Sequence, residues 1–154
     1  MTTSVSVTRE IAAPAEAVWA LVSDLPRMGE WSPENTGGDW VKGASGPAVG
    51  ARFKGSNSNG TKSWTTDVSV TECDPGRAFS FEVKAVGLPI SAWSYTIEQA
   101  ATDDRCVITE TWTDRRGGIT RFFSKSASGV EDREAFSRQS IETTLANLAA
   151  SVEA

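Results

Sequence analysis

The sequence contains no histidine. That removes the usual general base near neutral pH, the commonest metal ligand and every Ser–His or Cys–His dyad. Cysteine is scarce: Cys73 and Cys106 are the only two in 154 residues, too few for a zinc cluster. They fall on predicted strands two apart in order, so both are expected to be free thiols rather than a disulfide. No apolar run reaches the roughly 18 residues of a membrane helix, and no basic-then-apolar leader opens the chain. The expectation is a cytoplasmic protein with no integral membrane segment. Positive charge is in deficit, with 15 Lys and Arg against 20 Asp and Glu and a net charge of −5. Without a long basic stretch, nucleic acid and anionic membrane surfaces are not expected partners. The paired glycines Gly37-Gly38 and Gly117-Gly118 lack the spacing and the lysine of a phosphate loop, so no nucleotide or metal cofactor is implied. No repeat is visible, and the length suits a single domain over 1–154.

Aromatic residues, in contrast, are plentiful: six tryptophans and six phenylalanines. Half of them fall in Ala51–Asp114, which reads as five strands joined by short turns. Asn59-Gly60 sits between two polar–apolar alternations, a strong two-residue hairpin signal because a type I′ turn needs positive φ at both central positions. With those two residues as the loop, Ser58 faces Thr61, Phe53 faces Thr66, Gly55 faces Trp64, and Arg52 forms a cross-strand ion pair with Asp67. One face then carries Ala51, Phe53, Trp64, Thr66, Val68 and Val70. After the Asp74-Pro75-Gly76 turn, Phe79, Phe81, Val83 and Ala85 alternate with polar residues. After Gly87-Leu88-Pro89, Trp93, Tyr95 and Ile97 do the same.

The last strand, Cys106–Thr113, is ambiguous. Ile108, Glu110 and Trp112 share one face, and Val107, Thr109 and Thr111 share the other; a one-residue slip exchanges them. If Ile97 meets Ile108, Tyr95 meets Glu110 and Trp93 meets Trp112. Glu110 then lies in an aromatic pocket, where desolvation raises a carboxyl pKa. In the other register Glu110 is a solvated surface charge. Glu110, Tyr95 and Glu34 are the acid–base candidates that remain without histidine.

The flanks supply the rest of the fold. Ser4–Ala12 is a first strand, with Val5, Val7 and Ile11 on one face. Pro14–Ser23 is a helix with Pro14 in its first turn. Pro26 and Pro33 bracket a short second helix containing Met28 and Trp31. Glu34–Lys42 is a strand broken by Gly37-Gly38. At the far end Ile141, Leu145, Leu148 and Val152 form an amphipathic stripe. The helix is expected from about Gly129 to Val152, roughly 35 Å long, which matches the roughly 33 Å of a ten-residue strand. Its first half is polar on the same stripe (Glu134, Ser137, Arg138), so it either frays into solvent or roofs a partly hydrated cavity. Ile119, Phe122 and Phe123 suggest a helical turn upstream, and Phe136 falls opposite Leu145 with no assigned role. The fold class is α+β.

Strand, two short helices, six antiparallel strands and a long C-terminal helix resemble the helix-grip architecture of the START-like (SRPBCC) superfamily. The local wording is similar to the bacterial polyketide cyclase/dehydrase group. It includes Ala13-Pro14 before Val18-Trp19, Ser23-Asp24, and Met28-Gly29-Glu30-Trp31-Ser32-Pro33-Glu34. Further on come Val49-Gly50-Ala51-Arg52-Phe53, the Asn59-Gly60 hairpin with Trp64, Asp74-Pro75-Gly76-Arg77 and Thr144-Leu145. The resemblance implies a seven-stranded curved antiparallel sheet gripping the C-terminal helix, with an internal cavity between them. It covers carriers, sensors and cyclases alike, so it carries the fold further than the chemistry. The expected partner is a hydrophobic small molecule, a lipid, polyketide or aromatic metabolite. The expected role is binding or carriage, with a cyclase/dehydrase-like enzyme as the alternative, and the protein is expected as a monomer or homodimer. Expected ligand contacts are Trp31, Phe53, Trp64, Phe79, Phe81, Trp93, Tyr95, Glu110, Trp112, Ser137 and Ile141. Trp19 is expected in helix-to-sheet packing and Trp40 at the rim.

Overall fold

A computed structural model describes residues 3–118, 120, 121 and 132–153. The organising element is one seven-stranded antiparallel sheet in the order β1-β7-β6-β5-β4-β3-β2. Its strands are β1 (Ser4–Ile11), β2 (Asn35–Val41), β3 (Arg52–Ser58), β4 (Ser63–Asp74), β5 (Ala78–Ala85), β6 (Leu88–Gln99) and β7 (Cys106–Asp114). A helix α1 (Ala15–Val22) and a 3-10 helix (Leu25–Glu30) follow β1, and helix α2 (Arg133–Val152) ends the chain. Register shifts interrupt the ladder between Asn35 and Gly37, Val70 and Glu72, and Val83 and Lys84. Each extra residue bends its strand and adds twist, which curves the sheet.

The first bulge needs glycine at its end. Gly38 has φ +152°, and a Cβ there would lie 2.2 Å from the Lys54 carbonyl oxygen and 2.7 Å from the Phe53 ring. The Asn59-Gly60 hairpin departs from the expected register by two residues. Ser58 pairs with Ser63, Asn57 with Trp64, Gly55 with Thr66, Phe53 with Val68 and Arg52 with Ser69. The cause is the Asn59 side chain. Its Oδ1 accepts from the backbone N–H groups of Thr61 and Lys62 at 3.1 and 3.0 Å, which holds Asn59–Lys62 as a four-residue loop. Asp67 is therefore bound by Lys54, at 3.0 Å, not by Arg52. A two-residue shift keeps every side chain on its own face, so Phe53, Thr66, Val68 and Val70 are still buried together.

The connections to α1 are local. Pro14, with φ −63°, stands at the N-cap, and the Ala15 N–H donates to Gln99 Oε1 at 3.0 Å. Val18 and Val22 are fully buried, and Trp19 packs edge-on against Phe79 while donating to the Ala78 carbonyl at 2.8 Å. Trp40 meets Phe53 edge-on, 5.4 Å between centroids. Cys73 and Cys106 are free, and no helix among the described residues is long and apolar enough to cross a membrane.

Helix α2 begins with Asp132 as its N-cap, whose side chain accepts from Ala135 N at 3.1 Å. The expected start at Gly129 lies outside the described residues, as do Ile119, Phe122 and Phe123. Ile141, Leu145 and Leu148 are buried as the stripe requires, against β1, β7 and α1. Of the polar first half of the stripe only Ser137 faces inward, joined by Ser140 and Thr144, whereas Glu134 and Arg138 are exposed. Two further bonds fix the helix: Asn147 donates to the Trp31 carbonyl, and Ala12 N donates to Glu153 Oε2, both at 2.9 Å.

Candidate functional site

A pocket of about 400 Å³ opens between the concave face of the sheet and the N-terminal half of α2. The strand alternation sets its walls. Phe53, Trp64, Val68, Phe81, Trp93, Tyr95 and Trp112 line it from β3 to β7, and Leu25 and Met28 close one side from the 3-10 helix. Arg133, Phe136, Ser137 and Ser140 come down from the first two turns of α2.

Eight of the expected contacts meet there: Phe53, Trp64, Phe81, Trp93, Tyr95, Glu110, Trp112 and Ser137. Trp31, Phe79 and Ile141 do not line the pocket; each is buried in the surrounding core. Trp31, directly after the 3-10 helix, is held in the core, with the Arg27 guanidinium 5.6 Å from its ring and Asn147 bonded to its carbonyl. Phe79 is taken up by Trp19 on one side and Phe81 on the other. Ile141 lies beyond Ser140, where the apolar part of the α2 stripe begins to close against the sheet.

The ambiguous last strand resolves to the inward register. Ile97 pairs with Ile108, Tyr95 with Glu110 and Trp93 with Trp112. On the other side β1 sets Val7 opposite Glu110. Glu110 is 2% exposed. Removal from water disfavours its charged form and outweighs the opposing effect of the neighbouring Tyr95 hydroxyl, so its pKa rises to about 8. Near neutral pH the group is mostly a neutral acid, able to donate and to accept. Burial first, and then Glu110, push the Tyr95 phenol well above its ordinary value. Glu110 Oε1 is buried with no hydrogen-bond partner among the described residues.

Three polar features of the wall were not assigned from sequence. Arg133 Nη1 donates to Glu34 Oε1 at 2.7 Å, linking the start of α2 to the residue before β2. The second oxygen of Glu34, Oε2, is buried and has no hydrogen-bond partner among the described residues. Arg116 grips Asp114 through Nε and Nη2, each at 2.9 Å. Burial alone would raise the Asp114 pKa, but the Arg116 bonds and the charges of Arg116 and Arg121 carry it below its ordinary value. Phe136 forms part of the pocket roof, with the Arg133 guanidinium 5.0 Å from its ring centroid. No local pattern in the sequence signals these partnerships, since none of Arg133, Glu34, Arg116 and Asp114 belongs to the polar half-stripe of Glu134, Ser137 and Arg138. Among the described residues no cluster of three or more acidic or cysteine side chains is placed to hold a metal.

A curved antiparallel sheet closed by a C-terminal helix over an aromatic pocket defines the START-like helix-grip class. Within it the chain belongs to the family described as polyketide cyclase / dehydrase and lipid transport, which matches residues 2–153. A START superfamily protein from Mycobacterium smegmatis superposes with a TM-score of 0.73 at 17% identity, covering 97% of both chains. A major latex-like protein from Panax ginseng gives 0.71 at 10% identity, covering 99% of both. A polyketide-cyclase-like protein from Corynebacterium glutamicum is 32% identical over 98% of this chain and 83% of its own, with a TM-score of 0.55. No curated protein matches the chain.

Proposed function

We propose that the protein binds and carries a hydrophobic small molecule (a lipid, polyketide or aromatic metabolite) in the pocket under α2. The observation that carries this reading is a space of about 400 Å³ whose wall is chiefly aromatic and aliphatic, with a few polar groups set into it. Large rings offer area for apolar contact at little conformational cost, and the sparse polar atoms orient what they surround. Family membership supports the same reading.

The test uses the pocket's own indoles. Trp64, Trp93 and Trp112 line the wall, so polycyclic aromatics and fatty acids that enter should quench or shift tryptophan emission. Ligand at a hundred times its Kd should stabilise the fold by about 2.7 kcal/mol, read as a rise in melting temperature. Native mass spectrometry of purified protein should show a co-purified adduct. A panel that leaves emission, melting temperature and mass all unchanged would refute carriage.

One observation favours a second reading, a cyclase/dehydrase-like enzyme. Glu110 is a buried acid that keeps its proton near neutral pH, beside a phenol, in the wall of the pocket. Such a group can exchange a proton with a bound polyketide. Glu110→Gln keeps shape and hydrogen bonding but has no titratable proton. In an enzyme it should lower turnover about 10²–10⁴-fold with binding intact; in a carrier there is no turnover to lose, and affinity should move by less than about tenfold.

A further inference from the structure

We infer that the ligand is an uncharged apolar molecule bearing a hydrogen-bond donor, such as a phenol or other hydroxylated ring system, and not a free carboxylate. The inference rests on the binding role proposed above. It follows from what the polar atoms of the wall still have to offer. Among the described residues, the wall holds two guanidinium groups, Arg116 and Arg133. Each is committed to a carboxylate: Arg116 to Asp114 and Arg133 to Glu34. An anionic head group would therefore find the donors of Arg133 and Arg116 turned to those carboxylates (Asp114 holding Arg121 as well, at 3.3 Å) and would lie beside the Glu34 carboxylate. It would also surrender its hydration, since the wall is mostly apolar.

The unmet capacity is of the opposite kind. Glu34 Oε2 and Glu110 Oε1 both belong to wall residues, and both are buried without a partner among the described residues. Glu34, already accepting at Oε1 from Arg133, has only lone pairs left to offer. Glu110, almost wholly buried, presents a carboxyl oxygen beside Tyr95. Buried polar atoms in native proteins are nearly always paired, so two orphan oxygens in one pocket wall mark where a bound molecule is to pair: with a hydrogen for Glu34 Oε2, and with a hydroxyl for the neutral Glu110 acid, which can donate or accept. A hydroxyl satisfies such an oxygen without bringing a charge into the pocket, and an aromatic ring carrying it fits the surrounding indoles and phenyls.

Three probes of one shape test this: phenanthrene, hydroxyphenanthrene and phenanthrene carboxylate, titrated into the whole protein at mildly acidic pH by tryptophan quenching. The hydroxy compound should bind about tenfold or more tightly than the hydrocarbon, the worth of one well-made bond to a buried acceptor. The carboxylate should bind weakest. Glu34→Gln, which releases Arg133, should raise carboxylate affinity about tenfold or more. A hydrocarbon that binds as tightly as the hydroxy compound, or a carboxylate that matches it in the unaltered protein, would overturn the assignment while leaving the carrier reading in place. Failure of all three to bind would remove both.

Discussion

Glu110→Gln should convert a pH-sensitive stability into a flat one. The native protein holds the Glu110 proton up to about pH 8, against 4.5 for the free side chain. Between those values the folded state binds a proton that the unfolded state has lost, so stability falls as pH rises through the interval and levels off above it. Each pH unit across that interval is worth about 1.4 kcal/mol, so the whole of it is on the order of 4–5 kcal/mol. Glutamine resembles the neutral acid, so near pH 5 the variant should lie within about 1 kcal/mol of the parent. Near pH 8 it should be the more stable by several kcal/mol, or roughly 10 °C or more in melting temperature for a chain of this size. The other perturbed groups do not mimic the effect. Tyr95, Cys73 and Cys106 also have raised values, but their losses begin above the ordinary 10.0 and 9.0 of the free groups. Asp114 lies below its ordinary 3.8, so its contribution is lost only as pH falls through the acid range. The assay is scanning calorimetry, or urea melts, of both proteins in steps across this range. Parallel curves for the two, with no widening gap above pH 6, would show that Glu110 is not a buried neutral acid.

Two further outcomes are expected. Gly38→Ala should destabilise by about 2–4 kcal/mol in urea melts, because the added methyl meets backbone at 2.2 Å and φ +152° is strained for any other residue. A loss below about 0.5 kcal/mol would contradict the close approach of β2 to β3. Chelator treatment should leave melting temperature and ligand quenching unchanged, since the described residues bring no three metal-ligating side chains together; a clear fall in either would refute this.

How far the sequence reached depended on whether a feature was periodic or relational. Phe79, Phe81 and Val83 declare one face by alternation alone, as do Tyr95 and Ile97, and all five are buried. Alternation survives a shift of two, so the pocket face was legible although the Asn59–Lys62 loop moved every cross-strand partner. Glu110 could not be placed by alternation, because both faces of β7 carry residues that tolerate burial. Its side is decided by neighbours, β6 on one edge and β1 on the other. The Arg133–Glu34 pair joins residues 99 positions apart, and no local pattern encodes that. Trp31 shows the limit of composition: a tryptophan near a cavity was expected to line it, and the 3-10 helix spends it on the core. Phe136 was unplaced because its turn of α2 overhangs the pocket, where roofing side chains differ from those that face the sheet further along.

The sheet order has a consequence for how the chain comes together in time. β1 is made first but lies against β7, the last strand, so the Ser6 and Thr111 hydroxyls meet at 2.7 Å across 105 positions of sequence. Closing a loop of that length costs about 4 kcal/mol of chain entropy by the logarithmic law, and nothing repays it until both ends exist. Strands β2 to β7 are sequential neighbours and can zip as a meander while the chain emerges from the ribosome. β1 must wait unpaired through that whole interval. Its polar outer face, Ser6 and Thr8 among them, is suited to the wait, because a strand half clothed in hydroxyls is a poor template for stray pairing with another chain.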